Sequence, residues 1–215
     1  MKALIKLTAI TALLISASAL AAKPGAYIGL NLGYGGMDTP SVNFKNKYPD
    51  TYSYSQSSRG FAGRINAGYL WSQDSLNYGI ELGYATYANS KYSMTNKDGT
   101  MTLKYSGNSL DLLGVIQYNF TPNWNVFGKA GLAYVTQKTS GSNAFKAVFK
   151  NNNKVLPEVA LGAGYEFANG IGLNVTASHI FGNQPAIDCK AEEIKNDINQ
   201  VASVDMVTIG ISYNF

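Results

Sequence analysis

The sequence predicts an all-β fold: an eight-stranded antiparallel transmembrane β-barrel with short turns at one end and four long loops at the other. Three observations predict it. Alternation of period two recurs eight times between Gly25 and Phe215, with apolar residues on one parity and small or polar residues on the other. Aromatic side chains gather on the apolar parity near both ends of these segments, where two membrane interfaces would hold them. The connections alternate between tight turns and long polar loops. Composition agrees. Of 215 residues only 14 % are charged, while Gly is 22 and Tyr is 15, a balance that suits a wall of short strands better than a soluble globule.

Taken in order, the chain opens on an export signal. Lys2 and Lys6 form a positive region, Ala9 to Ile15 an apolar one, and Ala19-Leu20-Ala21 a small-x-small cleavage site. Residues 1–21 are therefore expected to be a signal peptide, cut after Ala21 or Ala22, and residues 22–215 the barrel domain. A membrane anchor is the competing reading. The apolar run from Leu7 to Ala22 falls short of the ~20 residues a helical span needs, and Thr8, Thr11, Ser16 and Ser18 interrupt it. Formal charge is +4; without Lys2 and Lys6, 15 basic and 13 acidic side chains remain, which excludes a nucleic-acid partner on charge. The single cysteine, Cys189, offers no disulfide and no cysteine-cluster metal site, and reads as a free loop thiol. No metal or other cofactor is expected.

Eight strands follow. The first, Ala26 to Gly35, sets Ile28, Leu30, Leu32 and Tyr34 against Tyr27, Gly29, Asn31 and Gly33. The second, Gly60 to Trp71, sets Phe61, Ile65, Ala67, Tyr69 and Trp71 against Ala62, Arg64, Asn66 and Gly68. The third, Leu76 to Tyr87, opposes Tyr78, Ile80, Leu82 and Tyr84 to Gly79, Glu81, Gly83 and Ala85. The fourth ends at Phe120, with Leu110, Leu112, Ile116 and Tyr118 against Asp111, Gln117 and Asn119; Leu113 and Val115 break its polar parity. The fifth, Trp124 to Thr136, opposes Val126, Ala130, Leu132 and Tyr134 to Asn125, Lys129, Gly131 and Ala133. The sixth, Val155 to Phe167, opposes Val159, Leu161, Ala163, Tyr165 and Phe167 to Glu158, Ala160, Gly162, Gly164 and Glu166. The seventh, Ile171 to Phe181, carries Leu173, Val175, Ala177 and Phe181 against Asn174, Thr176 and Ser178. The eighth, Val204 to Phe215, carries Val207, Ile209, Ile211, Tyr213 and Phe215 against Met206, Thr208, Gly210, Ser212 and Asn214. Each is about the ~9–11 residues that cross a bilayer at a tilt.

Ser72-Gln73-Asp74-Ser75, Thr121-Pro122-Asn123 and Ala168-Asn169-Gly170 read as tight turns. Gly36 to Arg59, Ala88 to Gly107, Gln137 to Lys154 and Gly182 to Ser203 read as long loops. Short periplasmic turns and long extracellular loops are the asymmetry of an outer-membrane barrel. A soluble sandwich or lipocalin-like barrel would reverse the parity, apolar inside and polar outside. Here the apolar parity is also the aromatic-belt parity, so it faces lipid.

On these strands, on Gly162-Ala163-Gly164-Tyr165-Glu166-Phe167 and on the terminal Tyr213-Asn214-Phe215, the chain resembles the small eight-stranded outer-membrane β-barrel family of OmpA transmembrane domains, OmpX and Ail-type proteins and opacity-like surface antigens. The resemblance runs from about Gly25 to Phe215 and implies residence in the outer membrane among lipids and lipopolysaccharide. It also implies that Phe215, Tyr213 and Ile211 are an assembly signal read by the barrel-assembly machinery. The peptidoglycan-binding domain that full OmpA chains carry is not expected after Phe215. The family pattern is specific for architecture and says little about activity.

An eight-stranded interior is only wide enough for side chains, so a diffusion porin is disfavoured. Inward charges Arg64, Glu81, Asp111, Lys129 and Glu158 are expected to form a packed polar network, because an unpaired charge there is costly; Glu166 falls near the periplasmic mouth. A narrow gated path for ions or small solutes is the alternative. Some barrels of this resemblance modify lipid A with a His, a Ser and a carboxylate. Here the lone histidine, His179, shares parity with Ala177 and Phe181, lacks the His-x-Ser-Asn run, and has Ser178 on the opposite face, so a non-enzymatic protein is expected. The loop Gln137 to Lys154 bears Lys138, Lys146, Lys150 and Lys154 and no acid, which suits lipopolysaccharide phosphates or an acidic host or matrix ligand. Ala191 to Val201 has the spacing of a short helix. A monomer contributing to envelope integrity, with surface adhesion or host interaction through its loops, is the resulting expectation.

Overall fold

The computed structural model describes residues 25–39, 53–96, 99–141, 152–183 and 201–215. The signal segment, Lys146, Lys150, Cys189 and residues 184–200, which hold most of the expected short helix, lie outside the described residues.

Among the described residues there are nine strands: β1 (Ala26–Met37), β2 (Ser53–Ser57), β3 (Arg59–Gln73), β4 (Leu76–Asn96), β5 (Gly99–Asn119), β6 (Trp124–Gly141), β7 (Asn152–Glu166), β8 (Ile171–Ile180) and β9 (Val204–Asn214). The eight long ones form the wall in the order β4-β3-β1-β9-β8-β7-β6-β5, and pairing of β4 with β5 closes it. The last strand lies antiparallel beside the first, from Tyr27 opposite Asn214 to Met37 opposite Val204. Closure leaves the wall without a free edge, which a membrane demands because lipid offers no hydrogen bonds to a bare strand.

Parity behaves as the alternation requires. Leu161, Ile209 and Leu112 are 71, 67 and 59 % exposed on the outer face, while Ala160, Thr208 and Asp111 beside them are buried within. The aromatic belts lie on the outer face too. Trp71 stacks on Tyr78 at 5.9 Å and Trp124 meets Tyr165 edge-on at 5.0 Å at the short-turn end. Tyr34, Phe61, Tyr84, Tyr134 and Phe181 stand exposed toward the long-loop end.

The strands differ from expectation at the long-loop end. Residues expected in the loop from Ala88 to Gly107 continue β4 and β5 as a hairpin down to Asn96 opposite Gly99, with a register shift between Tyr87 and Ser90. The short β2, inside the expected loop Gly36 to Arg59, adds to this hairpin by pairing with Lys91 to Thr95. β6 likewise runs on to Gly141. Beyond the bilayer both faces of a strand are wet, so backbone pairing persists without the apolar alternation that marks a membrane strand.

The tight turns have local causes. Gln73 pairs with Leu76 across a two-residue link in which Asp74 takes φ 55, a conformation that a short polar side chain tolerates. Thr121 Oγ1 accepts from the Trp124 backbone N–H at 2.9 Å. Between β7 and β8, Gly170 takes φ 83 and its N–H donates to the Phe167 carbonyl at 3.1 Å, with Asn169 Oδ1 accepting from Ile171 N–H at 3.2 Å. Gly170→Ala is therefore expected to lose about 1–2 kcal/mol of stability, read as a lower urea midpoint in lipid vesicles.

Candidate functional site

The barrel interior is stacked in three levels. At the short-turn end lies a polar cavity of about 60 Å³, lined among others by Tyr27, Asn31, Asn66, Gln117, Asn125 and Glu166. Its amides are mutually engaged: Asn31 Nδ2 donates to Asn66 Oδ1 at 2.8 Å, and Gln117 Nε2 and Asn125 Nδ2 each donate to Glu166 Oε1 at 3.3 Å.

The middle level is ionic and centred on Glu81, which is fully buried. Lys129 Nζ donates to both its carboxylate oxygens, at 2.9 and 2.7 Å. Arg64 Nη1 reaches Oε1 at 2.8 Å. Tyr27 Oη and Asn66 Nδ2 donate to Oε2 at 2.7 and 2.8 Å. The other face of the Arg64 guanidinium grips Asp111 through Nη2 and Nε. Two cations thus meet two carboxylates from β3, β4, β5 and β6, and most lone pairs of Glu81 are filled, the condition under which buried charge is tolerable. Lys129 Nζ also lies 5.0 Å from the Phe127 ring centroid. That ring lies over Gly162 on the adjacent strand β7, where any Cβ would collide with it. Of the five charges expected to associate, Arg64, Glu81, Asp111 and Lys129 are in contact. Glu158 is 2 % exposed but stands outside these ion pairs, its Oε2 without a hydrogen-bond partner among the described residues.

The third level was not anticipated. Toward the long-loop end Met37, Tyr87, Val135, Ile180, Val204 and Met206 pack into one buried apolar cluster with Val201 and Ala202, beside the buried polar side chains of Thr39, Ser90, Ser109 and Gln137. The chain just before β9 is pinned over this cluster, since Gln137 Nε2 donates to the Ala202 carbonyl at 3.1 Å and Ala202 N–H donates back to Gln137 Oε1 at 2.9 Å. Tyr105 Oη donates to the same Oε1 at 2.8 Å. Met206, an apolar residue on an otherwise small or polar parity, was the visible sign of this layer.

On the outer wall His179 Nδ1 lies 2.7 Å from Asp205 Oδ1, and Arg59 Nη2 donates to Asp205 Oδ2 at 3.1 Å. Ser178 pairs opposite Met206 on the other parity, and no hydroxyl hydrogen-bonds His179 among the described residues. Asp205 was missed in the sequence; counting the outward parity of the last strand one step past Val207 reaches it. Of the four lysines expected on one loop, Lys138 lies within β6 and Lys154 within β7, both exposed. Of the terminal residues, Phe215 and Ile211 are exposed outward, whereas Tyr213 is 7 % exposed, its ring centroid 5.1 Å from that of Phe215.

Residues 7–215 match the family described as outer membrane protein beta-barrel domain. The chain is 26 % identical over 211 residues to a 31 kDa outer-membrane immunogenic protein of Brucella melitensis, covering 89 % of this chain and 83 % of that one. It is 26 % identical over 225 residues to a protein of Coxiella burnetii, covering 89 and 85 % respectively. Among solved structures, the outer membrane protein OprG of Pseudomonas aeruginosa superposes with a TM-score of 0.56 over 91 % of this chain and all of OprG, at 14 % identity, a likeness of fold. A closed eight-stranded wall, a lipid-facing apolar parity and a match across nearly the whole chain place this protein in the outer-membrane protein β-barrel family, resident in the outer membrane.

Proposed function

We propose that the protein is a plugged, non-enzymatic wall element of the outer membrane that contributes to envelope integrity, with an extracellular face that contacts lipopolysaccharide phosphates or an acidic host or matrix ligand. The observation that carries this reading is the stacked interior: a Glu81-centred ionic layer beneath an apolar layer that Gln137 and Ala202 close. A continuous path for ions would require hydrated groups from mouth to mouth, and an apolar cluster among the described residues argues against one. The immunogenic Brucella relative supports surface-exposed loops. A strain lacking the gene is expected to be more sensitive to detergent and to serum, with restoration by the plasmid-borne gene; unchanged sensitivity would contradict the integrity role. Mass spectra of lipid A from strains with and without the protein are expected to coincide, and a mass shift abolished by His179→Ala would overturn the non-enzymatic reading.

The anionic-ligand reading rests on the sequence's run of Lys138, Lys146, Lys150 and Lys154 without an acid, of which Lys138 and Lys154 are exposed. Replacing all four by glutamine is expected to lower binding to heparin-coated surfaces several-fold at low salt and little at high salt, as screened surface charge requires. Phe215, Ile211 and Tyr213 are proposed as the assembly signal. Phe215→Ala is expected to reduce the heat-modifiable, folded band recovered from outer membranes, and normal yield would remove Phe215 from that role.

A further inference from the structure

A row of polar residues crosses the outer wall at the extracellular rim. Arg59 of β3 pairs opposite Gly36 of β1, and Asp205 of β9 opposite His179 of β8. Gly36 has no side chain, so Arg59 reaches across β1 to Asp205, where Nη2 lies 3.1 Å from Oδ2. His179 Nδ1 meets Oδ1 of the same carboxylate at 2.7 Å. One carboxylate thereby holds two cation-capable side chains in fixed directions. The rest of the Arg59 fork and His179 Nε2 have no hydrogen-bond partner among the described residues, and Arg59, Asp205 and His179 are 53, 41 and 36 % exposed at the side chain.

Pairing alone gives such an exposed cluster little stability, yet it occupies the parity that faces lipid. Along that parity, toward the membrane centre, lie Tyr34, Phe61 and Val207, all exposed. Cationic donors directly above an apolar and aromatic strip form an amphipathic surface at headgroup depth. We propose that Arg59, His179 and Asp205 form a binding site for the phosphate of an outer-leaflet phosphoglycolipid. Arg59 and the doubly protonated form of His179, with Nδ1–H on Asp205 and Nε2–H free, donate to the phosphate oxygens, Asp205 positions both, and Tyr34, Phe61 and Val207 contact the acyl chains. The apolar strip assigns the site to a lipid and not to a soluble anion, since free phosphate would gain nothing from it. Its residues lie on β3, β8 and β9, whereas Lys138 and Lys154 lie on β6 and β7.

The test is native mass spectrometry of the whole barrel in phosphatidylcholine nanodiscs with and without added lipid A. The wild type is expected to retain lipid A, and Arg59→Gln/His179→Gln to weaken retention roughly tenfold or more, the usual effect of losing charge-assisted hydrogen bonds. The single variants are expected to give intermediate losses, and they keep the test readable should the double variant fold poorly on heat-modifiability gels. Inorganic phosphate at matching concentration is expected to displace none of the lipid. Wild-type retention by the folded variants would overturn the proposal. So would displacement by inorganic phosphate, or a loss that follows Lys138→Gln/Lys154→Gln in place of the Arg59 and His179 changes.

Discussion

Glu81→Ala is expected to destabilise the barrel by about 3–5 kcal/mol, the range for breaking a buried ion pair from one side. Glu81 accepts from Lys129, Arg64, Tyr27 and Asn66. Its removal leaves Lys129 in the interior without a carboxylate and two neutral donors without an acceptor. Arg64 keeps Asp111, so the loss centres on Lys129. Adding Lys129→Met to Glu81→Ala is accordingly expected to recover most of the stability, because a buried pair replaced by apolar groups is often neutral. Urea unfolding in lipid vesicles measures both. A loss below about 1 kcal/mol for the single variant, the scale of an exposed pair, would contradict the buried ionic layer.

Leu161→Arg is expected to cost about 2–4 kcal/mol in a bilayer, the penalty for a basic side chain on the lipid face at mid-depth. Leu161 is 71 % exposed and lies between the row of Trp124 with Tyr165 and the row of Tyr134 with Val155. The effect depends on depth. Phe181→Arg, at the long-loop end, is expected to cost about 0–1 kcal/mol, the interfacial value. Equal costs at the two positions would mean that the outer parity does not sit in a hydrocarbon slab. The same vesicle unfolding experiment reads both.

The wall was legible in the sequence because lipid enforces a strict rule there: every outward residue between the belts must be apolar, and a period of two exposes it. Ile209 beside Thr208 and Leu112 beside Asp111 are cases in which one residue's step decides lipid or lumen. The outer half of the β4–β5 hairpin was not legible, since with water on both faces its sequence carries no alternation. The buried apolar cluster was hidden by the parity reading itself, which assigned inward positions mostly to small or polar residues. Met37 fell in the expected loop Gly36 to Arg59, while Ile180 and Val204 lay inside expected strands but were assigned to neither face. Four of five interior charges meet in ion pairs, and Glu158 stands outside them, an offset across strands that no linear pattern encodes. The Arg59–Asp205–His179 row was hidden because its members come from three strands and meet only through the β3-β1-β9-β8 order and the gap at Gly36.

Whether the stacked interior seals the barrel is tested most directly by single-channel recording of the purified, folded protein in planar bilayers. A silent membrane is expected, with no unit conductance at moderate voltage in salt solution, and conductance steps are expected only after the plug is opened by Met37→Ala/Val204→Ala/Met206→Ala. Stable unit conductance of the unaltered protein would contradict a plugged barrel and would make the narrow pore the correct reading.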